Sequence, residues 1–218
     1  MKTTAKILSL VFHPLFLIGY VLILLLTLNP YIFSIQDEKS RFLLIFSVLM
    51  LTIFFPLFSI FMMKMLELIK SFEMKDKQER IGPLIVTGVF YLWLFVNIKG
   101  NSTIPAAFSF FVLGSTIGLF LALMINSFTK ISLHTVGMGG LLAGFFIIRY
   151  FYAYDSFILR FPFGVFNIHT NVIMLLVIVV AGAVGTSRLL LKAHNTMDVY
   201  GGYIVGIFAQ LIAFRIMG

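Results

Sequence analysis

Seven long apolar segments constrain the fold of this chain more than any other feature of its sequence. A helix that crosses a bilayer needs about 20 mostly apolar residues, and backbone groups in lipid must form their hydrogen bonds within the segment. The segments therefore predict an all-α fold, a polytopic transmembrane helical bundle of about six to seven spans. Their approximate boundaries are 7–29, 42–64, 83–98, 105–128, 134–153, 170–187 and 198–217.

The polar linkers between these segments are too short to hold a soluble domain, which predicts one integral-membrane domain over 1–218. Only 11% of the residues are charged and 61% are hydrophobic, whereas a soluble domain usually carries about 25% charged residues. This composition excludes soluble, disordered and fibrous proteins. The N-terminal stretch MKTTAKILSLVFHPLFLIGY has a basic tip and a long apolar run without a clear cleavage site, so we expect a retained first helix.

The charge balance points to a membrane and not to nucleic acid. A formal net charge of +8 would suggest nucleic acid in a soluble protein. In a membrane protein, Lys and Arg gather at helix ends near anionic headgroups. We therefore expect the lipid bilayer as a partner and no nucleic acid, and the oligomeric state stays open. The chain has no cysteine, which excludes disulfides, thiolate metal sites and thiol nucleophiles.

Three polar clusters follow the second, fourth and sixth predicted helices. With seven spans, these loops emerge on the same membrane face as the N-terminus. Charged residues at the mouths of membrane helices are costly, so their clustering predicts a functional site on this face. The clusters are MKDKQER at 74–80, KISLH at 130–134 and SRLLLKAHNTMD at 187–198.

The last cluster places a histidine and a carboxylate on one face of a helix. His194 and Asp198 are spaced i, i+4. A carboxylate beside imidazole fixes the tautomer and leaves the other ring nitrogen free to attack or to take a proton. Arg188 ends the preceding helix, and its planar fork suits phosphate or carboxylate. The alternative is a solvated loop with one helical ion pair.

The middle cluster offers a second histidine at the mouth of a helix. His134 could act as a general acid that protonates a leaving oxygen. Ser132 is placed to cap the helix, which explains that residue without any chemistry. Lys130 has an equally simple explanation as an interface residue whose stem lies along apolar surface.

The first cluster carries two cations just before a helix enters the membrane. Lys77 and Arg80 are spaced i, i+3 and could hold the outer oxygens of a phosphate. Mixed charge of this kind also describes a solvated amphipathic loop. Pro83 fits the first turn of the following helix.

The spacing from Ser187 to Asp198 resembles a signature of the type 2 phosphatidic acid phosphatase (PAP2) superfamily, which includes the vanadium haloperoxidases. That family carries the signatures K-x6-RP, PSGH and SR-x5-H-x3-D. Ser187, Arg188, His194 and Asp198 match the third signature in full. The resemblance covers about residues 75–215 and implies a PAP2-like helical core.

The resemblance assigns roles to the matching residues. His194 would be the nucleophile that forms a phosphohistidine, Asp198 the carboxylate that orients it, and His134 the acid that protonates the leaving group. The scheme needs no metal and no cofactor. A zinc site is disfavoured independently, because the surroundings are cationic and no further ligand is evident. The phosphate cradle would comprise Ser132, Arg188, Ser187, Arg80 and Lys77.

The substrate implied by this resemblance is a phosphomonoester or diphosphate of a lipid, which would be hydrolysed after reaching the site from the bilayer. Candidates are phosphatidic acid, phosphatidylglycerol phosphate, isoprenyl diphosphates such as undecaprenyl diphosphate, and lipid A phosphates. The sequence does not choose among them.

Two signatures depart from the family pattern and keep other functions open. Residues 131–134 read ISLH in place of PSGH, and Pro83 lies three residues after Arg80 instead of next to it. No Lys lies seven residues before Arg80, so the resemblance would need Lys77, or Lys75 as an alternative, in that place. A lipid-phosphate binding or transport protein without turnover is the main alternative. A purely structural membrane subunit is a third hypothesis, which leaves the match over 187–198 as a coincidence.

The remaining features predict packing. His13-Pro14 indicates a kinked start to the first helix, with a supporting role at the site as the alternative, and His169 falls on the opposite face by parity. Small residues permit close helix packing. Glycines in the fifth and seventh helices would therefore bring His134 and His194 together. They are Gly137, Gly139, Gly140, Gly201 and Gly202.

The membrane face of the site stays open. Ten of the 16 Lys and Arg residues fall on the N-terminal face by parity, and the positive-inside rule then predicts a cytoplasmic site. When four candidate ligands are set aside (Lys77, Arg80, Lys130 and Arg188), six remain on each face. We expect a multi-pass protein of a bacterial inner or plasma membrane.

Overall fold

The computed structural model of the chain describes residues 1–28, 32–35, 37–74, 76–152, 156–161 and 164–217. These residues form an all-α helical bundle, which confirms the predicted fold class. The helices are α1 Lys2–Val11, α2 Pro14–Leu28, α3 Glu38–Leu49, α4 Phe55–Met65, α5 Ile81–Ile98, α6 Ala106–Phe128, α7 Leu133–Phe151, α8 Thr170–Leu190 and α9 Thr196–Met217.

Within the part of the chain that the structure describes, six helical segments are long and apolar enough to cross a membrane. One of them, Glu38–Met65, joins α3 to α4 through a π-helical turn at Met50–Phe54. The pair α1 and α2 makes a seventh span if its two bent halves are taken together. The protein is therefore a multi-pass membrane protein, with the number of spans that the apolar segments predict.

The predicted first helix, 7–29, is two helices in the structure. Helix α1 begins earlier, at Lys2, and is bent by 60° from the helix that begins at Pro14. Proline has no backbone N–H and crowds the preceding turn, so the helix breaks before Pro14. The short α1 packs against α8 at the membrane face where the three polar clusters lie.

Glycines allow α7 and α9 to pack with their backbones in contact. A Cβ atom on Gly139 would overlap the carbonyl of Tyr203, and one on Gly206 would overlap the carbonyl of Val136. Gly202 likewise lies against Thr135 and Ser132. Gly201, which the sequence also placed in this packing, faces open space. The close approach places the first turns of α7 and α9 side by side.

A buried glutamine joins three helices deep in the bundle. The Nε2 atom of Gln210 in α9 donates a hydrogen bond to the carbonyl of Phe111 in α6 (3.2 Å). The side chain fits against Gly114 and Gly144, where a Cβ atom would collide with Gln210 or Phe111. The Oε1 atom of Gln210 has no hydrogen-bond partner among the described residues, so the amide links α9 to α6 through its donor alone.

Among the described residues, β-strands occur in the linker before α8. Strands β1 Ser156–Phe161 and β2 Gly164–His169 form an antiparallel hairpin, with Ser156 opposite His169 and Phe161 opposite Gly164. The sequence placed only a polar loop here. The hairpin lies at the end of α8 opposite Arg188, so it does not contribute to the site.

Candidate active site

Hydrogen bonds tie the three polar loops together at one end of the bundle. Lys77 Nζ donates to the carbonyls of Ser127 and Phe128, each at 3.2 Å. Lys130 Nζ donates to the carbonyl of Ala193 (3.2 Å). The backbone N–H of Ser132 donates to the carbonyl of Asp198 (3.2 Å). The three clusters therefore share one face, as the parity of the spans predicts.

A cavity of about 1030 Å³ opens among these loops and continues between the helices. Its charged lining carries five cations and one carboxylate, so the mouth attracts an anion. Three histidines also line it: His13, His134 and His194. The cations are Lys6, Arg80, Lys130, Arg188 and Lys192, and the carboxylate is Glu73.

The deeper part of the cavity is largely apolar. Tyr91 and Thr87 of α5 and Ser115 of α6 supply hydroxyl groups there. The hydroxyls of Thr87 and Ser115 already donate to carbonyls one helical turn earlier. A cationic mouth over an apolar interior suits an amphipathic anion with its headgroup at the loops. The apolar walls include Leu17, Ile18, Leu57, Leu84, Phe111 and Leu119.

The carboxylate of Asp198 holds the ring of His194 in a fixed orientation. Oδ2 of Asp198 lies 3.2 Å from His194 Nδ1 and also accepts the backbone N–H of Asn195 (3.2 Å). The Asn195 side chain accepts the backbone N–H of Asp198 in return (2.8 Å). Because a carboxylate accepts, Nδ1 carries the proton. The Nε2 lone pair of His194 is therefore left for chemistry.

Burial changes the pKa of His194 more than the hydrogen bond to Asp198 does. The pKa of the ring is lowered to about 4, mainly by burial, while the hydrogen bond to Asp198 acts in the opposite direction. The nearby cations Arg188, Arg80 and Lys130 contribute to the lowering. The ring is consequently neutral at physiological pH, which is the state that a nitrogen nucleophile requires.

The second histidine at the mouth is held by α1. Nε2 of His134 lies 2.9 Å from the backbone carbonyl oxygen of Ser9. Its ring contacts that of His13 edge to face, with centroids 5.2 Å apart and an interplanar angle of 86°. A carbonyl oxygen only accepts, so Nε2 of His134 carries a proton.

Two polar atoms at the site are buried without a hydrogen-bond partner among the described residues. They are Nε of Arg188 and Oγ of Ser132. Such atoms cost free energy unless something satisfies them. Arg188 lines the cavity and lies close enough to His134, His194 and Arg80 for their charges to interact. Arg80 also lines it, and its Nε donates to the carbonyl of Met74 (2.9 Å).

Three of the five predicted cradle residues do not line the cavity: Ser132, which is fully buried, Lys77 and Ser187. The ammonium of Lys77 caps the carbonyl end of α6, because those carbonyls have no helical partner. The Ser187 hydroxyl donates to the carbonyl of Ala183 in its own helix (2.8 Å). These contacts engage both side chains elsewhere in this structure, and their role in a phosphate cradle stays a prediction. Lys75, the alternative to Lys77, lies outside the described residues.

Sequence reasoning underrated His13 and missed Lys6, both of which line the cavity. The His-Pro pair at 13–14 was the available signal for His13, since it marks a break that can turn a side chain out of the helix. The sequence does not indicate that Lys6 lies at the site, because the position of Lys6 depends on how α1 packs near the polar loops.

No family model, curated protein or solved structure matches this chain. Among the described residues, no group of three or more His, Asp or Glu side chains is arranged to hold a metal ion.

Proposed function

We propose that the protein is a membrane-embedded lipid phosphatase of the PAP2 type, which hydrolyses a phosphomonoester or diphosphate of a lipid. The observation that carries this proposal is the convergence of His194, His134 and Arg188 on one amphipathic cavity, with Asp198 bonded to the first histidine. A neutral histidine, a second histidine and a guanidinium whose Nε has no partner among the described residues suit phosphoryl transfer.

The first chemical step would form a phosphohistidine. Nε2 of His194 attacks phosphorus, a nitrogen–phosphorus bond forms, and the bond from phosphorus to the lipid oxygen breaks. The Asp198 carboxylate stabilises the positive charge that develops on the ring. Arg188 and Arg80 would bind the outer phosphate oxygens, whose charge grows on the way to the transition state.

A proton from His134 would complete the departure of the lipid. Nε2–H of His134 is bonded to Ser9, so the transferable proton is the one on Nδ1 of the imidazolium. An anionic substrate stabilises that imidazolium. The same nitrogen then takes a proton from the water that attacks the phosphohistidine, which releases inorganic phosphate and restores both histidines.

The cavity accounts for the choice of a lipid substrate. Its apolar walls continue from the cationic mouth into the bundle, so the phosphate would sit at the loops while the chain lies between helices. Phosphatidic acid, phosphatidylglycerol phosphate, isoprenyl diphosphates such as undecaprenyl diphosphate, and lipid A phosphates all fit this description. The location would be a bacterial inner or plasma membrane.

The test is phosphate release by the purified protein in detergent, without added metal, from a panel of lipid phosphates and diphosphates. We expect release by the wild type and none by His194→Ala. A ³²P-labelled substrate should label the wild type in an acid-labile, base-stable form, as expected for phosphohistidine. Silence from a folded wild-type protein on every substrate would refute the enzyme.

A lipid-phosphate binding protein without turnover is the second candidate. It is favoured by the bond between His134 and the Ser9 carbonyl, which holds the proposed acid against α1. The same panel separates the two functions. Saturable binding of a lipid phosphate without release of phosphate would support the binding protein.

A further inference from the structure

His13 lies in the bend between the end of α1 and the start of α2, and it lines the cavity. Its ring meets that of His134 edge to face, with centroids 5.2 Å apart. It also lies close enough to Arg188 for the charge of the guanidinium to act on it. His13 therefore lies beside His134 and Arg188 of the proposed phosphate site. It does not belong to the polar clusters at 130–134 and 187–198 that contain these two residues.

The hydrogen bonds of His13 define which of its nitrogens carries the proton. The backbone N–H of Leu15 donates to Nδ1 of His13 (3.4 Å), so Nδ1 accepts and is unprotonated. The ring proton is therefore on Nε2. Among the described residues, no hydrogen bond occupies that N–H.

The cavity wall around His13 favours an anion as the missing acceptor. Lys6 precedes His13 on α1 and lines the same cavity, and Arg188 has a buried Nε with no described partner. Glu73 is the one carboxylate that the described lining sets against five cations, so donors outnumber acceptors there, as in a site that binds phosphate oxygens.

We propose that His13 is a phosphate-binding residue, whose Nε2–H donates a hydrogen bond to a non-bridging oxygen of the phosphate group bound at Arg188. The ligand is the phosphate of a lipid headgroup. That identity rests on the proposed function, whereas the hydrogen bond itself requires only that phosphate binds. The break in the helix before Pro14 would then serve phosphate binding, because a continuous helix would not hold the His13 ring at the cavity wall.

Two substitutions separate the two nitrogens of this ring. The Oδ1 atom of Asn stands near the position of Nδ1, so His13→Asn keeps the acceptor for Leu15 and loses the donor. The Nε2 atom of Gln stands near the position of Nε2, so His13→Gln keeps a donor toward the cavity. If His13 only capped α2, His13→Asn would be tolerated better than His13→Gln, because Asn is a good N-cap residue.

The experiment is calorimetric titration of inorganic phosphate into the full-length protein in detergent, with each variant checked by thermal unfolding. We expect His13→Gln to bind within about twofold of wild type and His13→Asn to bind about tenfold more weakly, as for the loss of one hydrogen bond to a charged group. Wild-type affinity in His13→Asn would overturn the proposal, as would weak binding in His13→Gln alone. A folded wild type that binds no phosphate would overturn it too.

The chain offers a matched control. His169 is the N-cap of α8, is exposed and makes no capping bond through its side chain. His169→Asn and His169→Gln should both bind phosphate like the wild type, and a tenfold loss in either would show that the effect at His13 is nonspecific.

The lipid-phosphate panel then separates this proposal from the proposed function. Phosphate binding with the expected order of variants, but without turnover of any lipid, supports His13 and refutes the phosphatase. Turnover that is equal in wild type, His13→Asn and His13→Gln supports the phosphatase and refutes His13.

Discussion

The imidazole Nε2 of His134 donates a hydrogen bond to the backbone carbonyl of Ser9, across 2.9 Å and 125 positions of the chain. The bond joins the first turn of α7 to the last turn of α1. The acceptor that orients the His134 ring is a backbone carbonyl, so a side-chain substitution at Ser9 would not remove it. It also assigns one of the two ring nitrogens to structure, which leaves Nδ1 for chemistry.

The proposed acid can be tested with two kinds of leaving group. His134→Ala should slow phosphate release from a lipid phosphate by about 10²- to 10⁴-fold, because an alkoxide leaves poorly without a proton. The loss should be much smaller for p-nitrophenyl phosphate, whose phenolate leaves without one. Rates for both substrates, measured with wild type and variant, check this. An equal loss on both would show that His134 does not act as an acid.

The buried ring of His194 should make stability depend on pH. Its pKa is lowered from 6.5 to about 4, so the unfolded chain takes up a proton at this position at a higher pH than the folded protein. The stabilisation is complete above pH 6.5 and is lost as pH falls toward 4. We expect the melting temperature of His194→Gln to fall less over this range than that of the wild type. Parallel curves would contradict the lowered pKa.

The half-buried guanidinium of Arg188 should dominate phosphate affinity. Arg188→Gln should weaken binding of inorganic phosphate by about tenfold or more, because a charge-assisted hydrogen bond is lost. Arg215 is also the basic residue in the last turn of a spanning helix, at the other end of the bundle. Arg215→Gln is therefore the control and should bind as the wild type does. The affinities come from titration calorimetry, and equal losses in both variants would exclude a specific role.

The contact between α7 and α9 should not tolerate a methyl group. Gly206→Ala should destabilise the protein by about 1–3 kcal/mol, because its Cβ would overlap the Val136 carbonyl. Gly201→Ala lies on the same helix and faces open space, so it should have little effect. Thermal unfolding in detergent measures both. Equal melting temperatures for the two variants would mean that these backbones do not touch.

The membrane face of the site can be read by labelling single cysteines in the Cys-free chain. Lys70 is exposed in the loop on the site face, and Ser102 is exposed in the loop on the other. The raw excess of cations predicts a cytoplasmic site. An impermeant thiol reagent should therefore label Ser102→Cys, but not Lys70→Cys, in intact cells. The reverse pattern would place the site outside.

Local sequence predicts the spanning helices because apolar length is decided within each segment. The spacing of four residues predicts that His194 and Asp198 meet, but not how. His194 lies two residues before α9 and not on its face, and the contact forms in the turn where Asn195 and Asp198 exchange hydrogen bonds. Alternating spans predict that the three polar loops share a face. These features need no knowledge of how the helices pack.

Packing decides which side chains reach the cavity. Lys77 and Ser187 carry the residue types expected of a cradle, but helix carbonyls take up their donors. His13 and Lys6 belong to the segment farthest from the other site residues in sequence, yet the bend at Pro14 returns them to the site. The difference is physical: a contact between residues four positions apart depends on the local chain, whereas the position of α1 depends on contacts with helices that follow it by more than 100 residues.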